Sequence, residues 1–156
     1  MITNFENDKE PMKVTKISED TVFIGEIHSD SHVEIAGTIT GNIMAKGDIK
    51  ICGKVTGDLA GGEISLVSCK VRGNITAATS VFINDKAVLV GNVSAIDMVL
   101  DGKMKGDVAL GKSILLRKDA MFFGKIAAGT ISIEEGAMLS GKIRTKNINK
   151  NDSTFQ

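Results

Sequence analysis

The sequence has no tryptophan and no tyrosine, and its aromatic content of 4% is phenylalanine alone. A core built without large aromatics must come from Val, Ile, Leu, Met and Ala, and hydrophobic residues do make up 42% of the 156 residues. Surplus charge is also missing: 19 basic residues balance 19 acidic ones. A nucleic-acid partner would call for a basic excess and stacking rings, so none is expected. Proline occurs once, at Pro11. The two cysteines, Cys52 and Cys69, are too few for a disulfide framework or a CxxC metal pair. Reduced thiols in a cytoplasmic protein are the expectation. The opening stretch MITNFENDKEP lacks a basic region followed by a long apolar one, so no secretory signal is expected. No apolar run approaches the roughly 20 residues of a membrane span. Glycine is frequent but follows no G-x-y register, which excludes collagen.

What the chain does have is a phrase that returns. TVFIGEI at 21–27 is followed by GTITGNI, GKVTGDL, CKVRGNI, AVLVGNV, GKMKGDV, AMFFGKI and finally AMLSGKI at 137–143. The glycines are Gly25, Gly41, Gly57, Gly73, Gly91, Gly106, Gly124 and Gly141, in steps of 15 to 18 residues. Two residues before each glycine stands an apolar side chain, from Phe23 and Ile39 to Phe122 and Leu139. Two after it stands another, from Ile27 and Ile43 to Ile126 and Ile143. A spacing of two is the strand period, so these side chains share one face. Further alternating runs, such as VEI at 33–35 and ISI at 131–133, fall between the glycines. Each period therefore holds at least two short strands, with room for a third.

A helical stripe of period 3.6 does not fit β-branched residues at alternating positions. An antiparallel meander would place Asn-Gly or Asp-Gly at its turns, whereas the order here is Gly-Asn or Gly-Asp. One residue type at one phase over eight periods instead predicts a coil stacked on itself. The fold class is thus all-β: a single-domain parallel β-helix of about eight rungs over residues 17–145. Flexible tails are expected at 1–16 and 146–156. At about 4.8 Å per rung the core is a rod on the order of 40 Å long. The recurrent glycine fits a corner with positive φ or a crowded backbone. Asn42, Asp58, Asn74, Asn92 and Asp107, which follow it, are placed to stack as a polar ladder.

Candidate chemistry is sparse. His28 and His32 have HxxxH spacing but precede a strand and lack a third ligand, so they read as a surface pair. Calcium-binding β-rolls use nonapeptide repeats, about half this period. Hexapeptide-repeat acyltransferases, left-handed β-helices acting as trimers, are the enzyme alternative. Their hexad pattern fails within each period here, and both histidines lie in the first turn. No cationic residue recurs beside both cysteines to activate a thiol. Glu134 and Glu135 are adjacent and point to opposite faces of a strand. No catalytic residue, metal site or cofactor is expected, and the protein is read as a non-enzyme.

The run of G-[END]-[IVL] turns, clearest in GTITGNI, GKVTGDL and GKMKGDV, resembles the bactofilins, polymer-forming bacterial cytoskeletal proteins. The resemblance implies a right-handed β-helix that polymerises end to end without nucleotide into non-polar filaments or sheets. It also implies a bacterial cytoplasmic scaffold for cell shape, wall synthesis or flagellar and polar assembly. The implied partners are other copies of the chain and cell-wall or flagellar membrane proteins. Some members carry an apolar N-terminal membrane-targeting stretch; here only Met1, Ile2 and Phe5 are available, beside Glu6, Asp8 and Glu10.

Uncapped β-helix ends expose unpaired backbone groups and apolar side chains, which template further pairing. The sequence places the N-terminal contact at Val22, Phe23 and Ile24. It places the C-terminal contact at Phe122, Phe123, Met138, Leu139 and Ile143, with Phe122 pointing inward and Phe123 outward. Residues 1–20 carry net −2 and residues 142–156 net +3. Opposite signs favour head-to-tail contact, against the alternating contacts the resemblance implies, but tail charges are screened within about 10 Å at 0.1 M salt.

Overall fold

The computed structural model describes residues 14–145, all in strands and the corners between them. The chain winds into a parallel β-solenoid of about eight turns, three strands to a turn. The first face holds the strand before each repeat glycine, starting with Val22–Ile24, Thr38–Thr40, Lys54–Thr56 and Lys70–Arg72. The second face holds the strand after it, starting with Ile27–Ser29 and Ile43–Ala45. The third face closes the turn with His32–Ile35, Ile49–Ile51, Ile64–Leu66 and Ser80–Ile83. Near the C-terminal end the corners straighten, and Met121–Ala128 and Met138–Thr145 each run through the first and second faces as one strand. An irregularity between Ala95 and Asp97 absorbs a mismatch in turn length. The first described strand, Val14–Ile17, pairs with His32–Ile35 and begins before residue 17, where the sequence reading starts the rod. The remainder of the expected tails lies outside the described residues.

Register explains why the repeat is periodic. Strands of successive turns pair residue for residue, so Phe23 lies on Ile39, Ile39 on Val55 and Val71 on Leu89, and the column continues through Met104 and Phe122 to Leu139. A second column runs Ile35, Ile51, Leu66, Ile83, Leu100 and Leu116, all at most 1% exposed. Each such side chain is worth about 1.5–3 kcal/mol on full burial. Phe122 is the largest fully buried side chain, and its alternation partner Phe123 points outward, as the spacing predicts.

The eight repeat glycines mark the corner between the first and second faces, and all have φ between 139° and 147°. From Gly41 onward a Cβ would run into the carbonyl oxygen of the glycine one turn earlier. Both requirements, positive φ and close approach, therefore hold at one position. Beside this corner the polar ladder forms as expected. The Oδ1 of Asn42 accepts the N–H of Asp58 at 3.0 Å, and that of Asp58 accepts Asn74 at 3.0 Å. Asn74 then accepts Asn92, Asn92 accepts Asp107, and Asp107 accepts Lys125. The ladder stops there, because Lys125 and Lys142 occupy the position in the last two turns and carry no acceptor.

Candidate functional site

The described residues end in a first and a last turn, each paired on one side only among the described residues. At the C-terminal end, Ile133 continues the column of Leu116 but is 47% exposed where Leu116 is 0%. Ile143 continues the column of Ile126 and is 43% exposed against 1%. Leu139 and Ile131 are half-buried, packed on the core from one side. Among the described residues, Thr130–Ile133 and Met138–Thr145 pair only with the turn before them. Val14–Ile17, Val22–Ile24 and Ile27–Ser29 pair only with the turn after. There, Ile17 and Phe23 are half-buried over the core. Each end thus presents three strand edges around an apolar centre.

The anticipated contact residues separate into three groups. Phe23, Leu139 and Ile143 occupy inward positions at an open end. Val22, Ile24, Phe123 and Met138 are exposed on the outer side of the first face, at the rim of the ends. Phe122 is fully buried under Leu139, so it fills the core and supports the last turn without itself reaching a partner. Met1, Ile2 and Phe5 lie outside the described residues. The sequence does not single out Ile131 and Ile133, because ISI at 131–133 matches the inner runs and only its place in the last turn sets it apart.

The other candidates are dispersed. His28 lies on the second face with Nε2 3.2 Å from Glu26, and His32 on the third face, where Nδ1 accepts the N–H of Asp48 at 2.9 Å. Both cysteines are free thiols. Cys52 is exposed, while Cys69 is buried and its pKa is pushed up to about 12. Burial is the main cause, with Cys52 nearby adding to it and a hydrogen bond with the Val67 backbone opposing it. That thiol is protonated at neutral pH and a poor nucleophile. A groove of about 790 Å³ follows the second face along its small outward residues Thr76, Ser94, Ala109 and Ala127. No group of three or more metal-ligating side chains is found among the described residues. No helix among them is long and apolar enough to cross a membrane.

The described residues form a parallel solenoid with one glycine corner per turn and a core of aliphatic side chains, Phe122, Met98, Met104 and Cys69. The family model for bactofilin, described as polymer-forming cytoskeletal, matches residues 53–144. The chain belongs to the bactofilin family. No curated protein and no solved structure matches it.

Proposed function

We propose that the protein is a self-assembling scaffold that polymerises end to end, without nucleotide, into filaments or sheets. The observation that carries this reading is the C-terminal end, where Ile133 and Ile143 continue buried columns yet stand half-exposed. Covering a half-exposed Ile or Leu gains about 1 kcal/mol or more, and each joined strand edge adds backbone hydrogen bonds worth about 1 kcal/mol net apiece. Membership of a polymer-forming cytoskeletal family supports the same reading. The proposal assigns the chain no catalysis and no cofactor. It places the polymer in the bacterial cytoplasm, organising cell shape, wall synthesis or flagellar and polar machinery, with cell-wall or flagellar membrane proteins as clients.

The test is sedimentation of the purified wild type against Ile143→Arg and Leu139→Arg. Wild type pellets as polymer, and both variants stay in the supernatant with wild-type circular dichroism. Polymer formed equally by both folded variants rejects the end contact. Ile143 is the more informative site, since its exposure makes an arginine tolerable in the monomer.

A further inference from the structure

The groove on the second face changes chemical character along the rod. Its rim is the position after each repeat glycine, which runs from Glu26 in the first turn through Asn74, Asn92 and Asp107 to Lys125 and Lys142 in the last two. The fold gives no reason for the two lysines. An Asn or Asp there would extend the ladder of side-chain acceptors. Instead Lys125 lies directly against Lys142 at strand spacing, where like charges repel. Arg144, on the groove floor in the same strand as Lys142, adds a third cation.

Carboxylates do not balance this end of the groove. Asp107 is the one acidic residue in its lining, and its Oδ1 accepts the backbone N–H of Lys125 at 3.3 Å. At the far edge Asp97 accepts the Ser113 hydroxyl at 2.9 Å, with Lys112 in the next turn beside it. Asp85, Asp101, Asp119, Glu134 and Glu135 occupy the corner between the third and first faces, across the rod from this groove. Among the described residues the ion pairs join Glu26 to His28, Asp48 to His32 and Asp30 to Lys46, and none includes Lys125, Lys142 or Arg144. Asn74 and Asn92 commit Oδ1 to the ladder, which leaves each Nδ2 as a donor. The groove thus offers donors and cations, and it suits a ligand that brings acceptors and negative charge.

We infer that the second-face groove binds an extended acidic peptide segment of a partner protein, its carboxylates on Lys125, Lys142 and Arg144 and its small side chains on the floor. From Asn74 to Lys142 the groove covers about 19 Å at about 4.8 Å per turn, room for about six extended residues. The floor residues Ala109 and Ala127 present methyl groups to small aliphatic side chains of such a segment. No aromatic ring lines the groove, so it has nothing on which the bases of a nucleic acid would stack. The site belongs to the single chain and stands independently of end-to-end assembly.

The experiment is fluorescence anisotropy of a labelled peptide of alternating glutamate and alanine, titrated with the full-length chain. A peptide of alternating lysine and alanine is the charge-reversed control. The acidic peptide alone binds wild type, and added salt weakens it. Lys125→Glu/Lys142→Glu weakens binding by about tenfold or more. Ala109→Phe, at an exposed position of the floor, weakens it with every cation in place. Lys103→Glu/Lys105→Glu, on the first face, binds as wild type. Leu139→Arg also binds as wild type, which separates the groove from polymerisation. The inference is overturned if the acidic peptide does not bind, or if the two groove variants, folded by circular dichroism, bind it as well as wild type. It is likewise overturned if the lysine control binds equally, or if the first-face variant or Leu139→Arg loses the peptide. Retention of a single-stranded oligonucleotide without retention of the peptide also overturns it.

Discussion

Replacing a repeat glycine by alanine separates the two demands made on that corner. Gly25 and Gly73 have nearly the same φ, 139° and 147°. At Gly25, in the first turn, a Cβ would meet only the ring of Phe23, at 3.6 Å. At Gly73 it would collide with the carbonyl of Gly57. Gly25→Ala therefore incurs backbone strain alone, about 1–3 kcal/mol. Gly73→Ala incurs the same strain and must also push adjacent turns away from each other. That separation endangers the hydrogen bonds from Gly57 N–H to Arg72 and from Asn74 N–H to Asp58, 2.8 and 3.0 Å long. At about 1 kcal/mol each, the second variant should lose about 2 kcal/mol more than the first. The assay is urea denaturation followed by circular dichroism, in the Ile143→Arg background to keep the chain monomeric. Equal losses in the two variants would refute the stacking argument and leave φ alone as the reason for the glycine column.

Depth in the rod should govern the cost of truncation elsewhere. Ile83→Ala, at a fully buried site, should cost about 2–5 kcal/mol. Ile133→Ala, in the same column at the open end, should cost under half of that in the monomer by the same denaturation measurement. Asn74→Ala orphans an N–H that water reaches, so a loss near 1 kcal/mol or less is expected. Cys69 adds a pH dependence. An unfolded thiol ionises near 9, whereas the folded one holds its proton to about 12. The native state then binds more protons across that window, and stability falls as pH rises through it, by up to about 1.4 kcal/mol per pH unit. Cys69→Ala, matching Ala87 one turn on, should flatten that slope in denaturation titrations.

Much of this architecture is legible in the chain because each turn repeats one set of local rules. The glycine spacing locates the corner, and alternation places Phe122 inside and Phe123 outside. The Asn and Asp following glycine announce the ladder that Asn42 to Asp107 form. What alternation does not convey is axial position. It marks Phe122 as apolar and inward without showing that Leu139 covers it, and it gathers Val22 and Ile24 with Phe23 although they point away from the rod. The strand Val14–Ile17 carries no glycine phrase, so its pairing with His32–Ile35 has no signature in the repeat.

The central claim, assembly through the solenoid ends, is met most directly by negative-stain electron microscopy of the purified full-length chain without nucleotide or metal. The account predicts long filaments or sheets a few nanometres wide for the wild type, and short dispersed rods for folded Ile143→Arg. Compact closed oligomers of the wild type, or filaments undiminished in the variant, would contradict it.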